Sequence, residues 1–284
     1  MAAAAREADS VVSRNAFPEN TMNQRHRSTL ASLGLAFALG TATLAATAAT
    51  PAAPAKGKPS VVIVHGAFAD GSDWAKVIPL LQAKGVHVVA IQNPLTSLAD
   101  DVAVTRRVVD AQAGKVVLVG HSWGGTVITE AGDNPKVAGL VYVAALSPDV
   151  GQAAGELGKD YPPAPGFAHI VGDSQGFLSL TPEGMAKHFA QDLPASATAV
   201  MTATQGPIQA KAFEQKVSVA AWKTRPSWYI VADKDHMIQP ALQYALAKRM
   251  NSTVTSLPTS HVPQQSQPAK VAAVILDAVN QAGK

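Results

Sequence analysis

The amino-acid sequence predicts an α/β fold: a mostly parallel sheet of about six core strands, helices on both faces, and a helical cap insertion. Two observations carry this. Short runs of β-branched and aromatic residues recur without polar alternation, the pattern of strands buried on both faces. Stretches with helical spacing fall between them, and strand–helix–strand alternation imposes right-handed crossovers and a parallel sheet.

The runs come in order. Val61-Val62-Ile63-Val64 is the first, Val86-His87-Val88-Val89-Ala90 the second, and Val116-Val117-Leu118-Val119 the third. Leu140-Val141-Tyr142-Val143 is the fourth, Trp228-Tyr229-Ile230-Val231 the fifth, and residues 254–257 the sixth. Helices are expected at 74–83, 100–112, 126–131, 239–250 and 269–280. From 148 to about 226 the alternation stops. That interval is rich in Gly, Pro and Ala, with helical patches at 182–191 and 208–217 and no strong strand. It reads as an insertion within one domain spanning 60–284. Its expected place is above the carboxyl edge of the sheet, where ligands bind in open α/β sheets.

The N-terminus reads as a leader over residues 1–49. Arg25-His26-Arg27 forms a basic segment, residues 30–47 are uncharged and rich in Ala and Leu, and Ala46-Thr47-Ala48 suits a cleavage site. A membrane-spanning helix is the competing reading, weakened by the Thr and Gly content of the apolar stretch. Met22 fits a true start, since the residues before it are polar and patternless. No adjacent Arg pair precedes the apolar run, so the general export route is expected over the twin-arginine route. The expected location is bacterial and exported, periplasmic or secreted. Residues 50–59 are a Pro/Ala linker.

Composition excludes several classes. Hydrophobic residues make up 47% and charged residues 15%, so a substantial core can form. Cysteine is absent, which rules out disulfides and thiolate nucleophiles or metal sites. The net charge of +3 comes with no long Lys/Arg run, which argues against a nucleic-acid partner. A small molecule is the expected partner, with no metal or organic cofactor.

The chemistry concentrates at Gly120-His121-Ser122-Trp123-Gly124-Gly125, directly after the third strand and before a helix. That is the context a G-x-S-x-G elbow requires. The serine must sit on a turn tight enough to strain its backbone and project Oγ from the sheet edge. Side chains two residues either side would collide, so both positions must be glycine.

Val62-Ile63-Val64-His65-Gly66-Ala67-Phe68, followed by Asp73-Trp74, resembles the first loop of the α/β-hydrolase superfamily, and Gly120 to Gly125 resembles its nucleophile elbow. The resemblance spans 60–284 and is nearest the small esterase and hydroxynitrile-lyase branch. It implies Ser122 as nucleophile, with the backbone N–H groups of Ala67 and Trp123 as oxyanion donors. His65 is expected to brace the Ala67 loop by hydrogen bonds. The order Ser, acid, His places the base late in the chain. Of eight histidines, His261 alone lies in the loop after the sixth strand. His26 belongs to the leader, His87 to a strand, and His169 and His188 to the insertion. His121 adjoins the nucleophile but must point elsewhere, and His236 follows the acid candidate. The acid belongs after the fifth strand, where Asp233 and Asp235 compete. The family's acid precedes an apolar pair and a proline, which selects Asp235 ahead of Met237-Ile238 and Pro240. Asp233 is then expected to hold the turn, and Asp149 is an outside candidate.

The implied activity is hydrolysis of an ester-like carbonyl through an acyl-enzyme. A cyanohydrin lyase is the rival, and its pattern carries a threonine and a lysine where this chain has Gly66 and Val262. Perhydrolase chemistry and a non-catalytic binding protein are further alternatives. Tyr161, Phe167, Phe177, Met185, Phe189, Met201 and Phe213 are the large groups of the insertion, available to line an acyl pocket or to pack the cap onto the core. Trp123 and Phe68 flank the nucleophile and are candidates to shape that pocket.

Overall fold

A computed structural model describes residues 57–283 of the chain. The expected leader, and the expected linker up to residue 56, lie outside the described residues.

Six parallel strands form the main sheet. They are β1 (Ser60–Val64), β2 (Val88–Ala90), β3 (Val116–His121), β4 (Val137–Val143), β8 (Ser227–Ala232) and β9 (Thr253–Leu257), in the order β2-β1-β3-β4-β8-β9. Alternate residues of each central strand face opposite layers. Val61, Ile63, Val117, Val119, Trp228 and Ile230 share one cluster with α1 (Ile78–Gln82) and α8 (Pro268–Ala282). Val62, Val64, Val116, Leu118, Tyr142 and Tyr229 share the other with α2 (Leu98–Asp110), α3 (Trp123–Ala131) and α6 (Pro240–Arg249). Each buried Val, Ile or Leu contributes about 1.5–3 kcal/mol relative to exposure, so the two layers hold the sheet between them. The edge strands are wetter: β2 is half-buried, and β9 is exposed until Leu257.

The helices start where local chemistry allows. Ser97 caps α2 by accepting from the Asp100 N–H, with Asp100 and Asp101 in the first turn, where the helix end favours negative charge. Proline opens α6 and α8, where no intrahelical donor is needed. The expected helix at 74–83 is instead a single 3-10 turn, Gly71–Trp74, followed by the short α1. His87 lies half-buried just ahead of β2 rather than within it.

Between β4 and β8 the chain builds a cap that is mixed rather than wholly helical. It carries β5 (Ile170–Gly172), β6 (Phe177–Leu180) and β7 (Ile208–Gln209) as a small antiparallel sheet, where no strong strand is expected from the sequence. It also holds α4 (Pro182–Gly184), which runs into one π turn at Met185–Phe189, and α5 (Ala195–Thr204). The patch expected as helix at 208–217 resolves into β7 and a 3-10 turn, Ala210–Glu214.

The topology decides where a site can form. From β1 the chain moves to β2 on one side, then returns across the sheet to β3 on the other. The loops after β1 and β3 therefore part at their carboxyl ends and leave a crevice there.

Candidate active site

The elbow occupies that crevice. Ser122 joins β3 to α3 with φ 53° and ψ −120°, a conformation that L side chains seldom adopt. Its neighbours are glycine for lack of space. A Cβ on Gly120 would lie 2.5 Å from the Gly124 carbonyl oxygen, and one on Gly124 would lie 2.3 Å from that of Val64. The Ser122 N–H donates to the Val143 carbonyl at 3.2 Å, and its own carbonyl accepts from Gly125 and Leu146. The strained serine is thus held from both sides.

His261 and Asp235 meet across the loops that follow β9 and β8. Asp235 Oδ2 accepts the His261 Nδ1–H at 2.6 Å, and both side chains are almost wholly buried. Asp235 Oδ1 accepts the N–H groups of Met237 and Ile238 at 2.6 and 3.0 Å. Asp233 takes no part. Its carboxylate is exposed and accepts from the hydroxyls of Tyr244 and Ser256, so it ties the turn to α6 and β9 through hydroxyls rather than backbone N–H groups. Asp149 pairs with Lys223 at 2.5 Å.

The loop after β1 is pinned by His65. Its Nε2 accepts the Asn93 N–H at 2.8 Å, so the proton sits on Nδ1, which donates to the Gly66 carbonyl at 2.8 Å. Burial lowers its pKa and keeps it neutral. A Cβ on Gly66 would lie 2.8 Å from Ser122 Cβ, so glycine there lets the loop close onto the nucleophile. Beside it, the N–H groups of Ala67 and Trp123 donate to no acceptor among the described residues.

His121 points away from the cavity. Its Nε2–H donates to the His261 carbonyl at 2.8 Å, and its ring lies 4.8 Å from the His261 ring. Burial, reinforced by His261, lowers its pKa well below that of an ordinary histidine. The elbow and the His261 loop are therefore tied by an uncharged donor.

Ser122, Ala67 and His261 line one cavity of about 500 Å³. Residues 61–274 match the alpha/beta hydrolase family. The chain belongs to that family.

A pyrethroid hydrolase of Sphingobium wenxiniae is 28% identical over 76% of this chain and 86% of its own length. Methylesterase 2 of Arabidopsis thaliana is 35% identical over 33% of this chain and 42% of its own. A solved pyrethroid hydrolase superposes with a TM-score of 0.67 at 24% identity, covering 78% of this chain and 98% of that one.

In this alpha/beta hydrolase the cavity walls come from both core and cap. Tyr161, Phe167, Phe189 and Phe213 line it, whereas Met185 and Met201 pack inside the cap and Phe177 stays off the cavity. Phe189 stands edge-on to the His261 ring, centroids 4.9 Å apart. Phe68 lines the cavity, but the Trp123 side chain does not. The indole turns under the site, donates to Asp101 Oδ2 at 2.7 Å and meets the Phe213 ring at 5.1 Å. Burial raises the Asp101 carboxyl to about 6, although the bonds from Trp123 and Leu95 pull the other way. His169 stacks on His188, whose ring lies tilted against that of His236, and none of the three lines the cavity. One buried group near the pair had no signal in the sequence: Gln243, a helical glutamine whose amide reaches Asp235.

Proposed function

We propose that this alpha/beta hydrolase cleaves neutral, largely apolar esters through an acyl-enzyme, with Ser122 as nucleophile, His261 as base and Asp235 as its partner. The observation that carries the reading is one cavity shared by a strained serine and a histidine whose Nδ1 is held by a buried carboxylate. With Nδ1–H committed to Asp235, Nε2 carries the lone pair that can take a proton. Ser122 Oγ attacks the carbonyl carbon as its proton passes to His261 Nε2. The charge formed on the carbonyl oxygen falls to the free N–H groups of Ala67 and Trp123. His261 then protonates the departing alkoxide, and the C–O bond breaks. Water repeats the cycle: its proton goes to His261, its oxygen to the acyl carbon, and Ser122 recovers a proton as the acid leaves.

The substrate class follows from the walls. Phe68, Leu146, Phe189, Phe213 and Leu242 supply apolar area, and Lys159 is the one Lys or Arg along the lining. The names of the relatives, a pyrethroid hydrolase and methylesterases, support ester cleavage. Ser122→Ala is expected to lose at least about 10⁴-fold in turnover of p-nitrophenyl and aromatic methyl esters, and to lose labelling by a fluorophosphonate. Retained turnover in that variant, or a wild type that does not label, overturns the proposal.

A further inference from the structure

We propose that Gln243 is a positioning residue for this reaction: its carboxamide, locked at three points, sets the orientation of Asp235 and through it the imidazole of His261. The inference rests on the reading of Ser122, His261 and Asp235 given above and adds a residue outside that set.

Gln243 lies on α6 and is wholly buried. Its Nε2 donates to Asp235 Oδ2 and to the Ile238 carbonyl, both at 2.7 Å, and its Oε1 accepts the Ala232 N–H at 3.0 Å. These partners force the amide one way round. Turned over, it would set its oxygen against two acceptors and its NH₂ against a backbone N–H. Ala232 ends β8 and Ile238 closes the loop before α6. One side chain therefore joins strand, loop and helix around a single carboxylate.

The oxygen it holds is the one that meets the base. Oδ2 receives both Gln243 and His261, while Oδ1 is taken by Met237 and Ile238. An aspartate carboxylate turns in a broad torsional well unless both oxygens are held. Without Gln243, Oδ2 keeps only the imidazole it is meant to orient, and the carboxylate is held from outside the pair through Oδ1 alone. Partners of this kind typically matter by about 10–100-fold where they orient a histidine at a metal site, and the orienting task here is the same. Gln243 does not line the cavity, so the loss belongs in kcat and not in KM.

The test uses the full chain with Gln243→Leu and Gln243→Glu. Gln243→Leu is expected to lower kcat about 10–100-fold with KM changed less than about two-fold, in protein whose circular dichroism remains native. Gln243→Glu keeps the size and the acceptor for Ala232. When protonated, the new carboxyl can still donate to Asp235; when ionised, it opposes it. The titratable groups facing that point are Asp235 and His261, with His121 behind the His261 ring, and Tyr229, whose hydroxyl is engaged by Ala145. The activity of Gln243→Glu relative to wild type should fall as pH rises and the new carboxyl ionises, whereas a purely structural role lowers it by one factor at every pH. Folded variants with kcat within about two-fold of wild type, or a Gln243→Glu profile parallel to the wild type, overturn the proposal. Fluorophosphonate labelling of the wild type, lost in Ser122→Ala, separates failure of the underlying reading from failure of this one.

Discussion

The residues around Ser122 are dictated first by space. A Cβ on Gly124 would lie 2.3 Å from the Val64 carbonyl oxygen and 2.9 Å from that of His65, both backbone atoms of the central sheet and its loop. Neither can give way cheaply. Gly124→Ala is expected to cost at least about 3 kcal/mol, at the upper end of what overpacking exacts. Gly114→Ala, where an added Cβ meets nothing within 4 Å, should shift stability by less than about 0.5 kcal/mol. Urea midpoints measure both, and equal effects would refute the steric account. Such constraints are why the elbow can be read in a sequence: sterics allow few residue types there. His261 and Asp235 were legible for another reason: Asp235 follows the wholly buried β8, and His261 lies in the loop after the last strand. Gln243 was not, since nothing about a glutamine in an ordinary helix signals that its amide faces inward. Trp123 marks the same limit from the other side. Its backbone position could be inferred, but its indole turns down to Asp101 because a buried carboxylate waits there, and that carboxylate comes from a different helix.

At the level of elements, the central strands were legible because burial on both faces demands unbroken apolar runs. The cap strands were not. Ile170–Gly172 and Ile208–Gln209 are two or three residues long and owe their pairing to the neighbouring strand rather than to their own propensity. One contact between elements has a pH signature. The Gly71–Trp74 turn packs beside α7 (Pro263–Ser266), the helical turn that follows His261. Asp73 is buried there, and its carboxyl is pushed up to about 7, chiefly by burial and then by Asp70, against a bond from Gln265. In the unfolded chain such a carboxyl titrates near about 3.9. The folded state thus holds this proton more tightly. The resulting stability is fully present below about 4 and is lost as pH rises through about 7. Asp73→Asn keeps the shape and removes the titration. It should flatten the fall in stability between pH 5 and 8 and exceed the wild type at pH 8 by about 1–3 kcal/mol. Denaturant midpoints at the two pH values check this, and identical slopes would rule it out.

On the scale of the whole molecule, parallel strands bring all their carboxyl ends to one edge, so groups distant in sequence converge after β1, β3, β8 and β9. That convergence, rather than proximity in the chain, assembles the site, and every residue assigned a role lies within 57–283. The roles assigned above leave the composition of residues 1–49 to be explained by another task. A basic segment at Arg25–Arg27, an uncharged stretch over 30–47 and small residues at Ala46-Thr47-Ala48 suit a cleaved export leader, and we propose that role. An enzyme exported and cut after Ala48 or Ala49 should be recovered from the periplasm or the medium with Ala49 or Thr50 as its first residue. It should keep full esterase activity, because every residue assigned a role lies within 57–283. Intact-mass measurement on fractionated cells decides the matter. Active protein that still carries residues 22–48 in the membrane fraction would mean that the apolar stretch anchors the chain instead of addressing it.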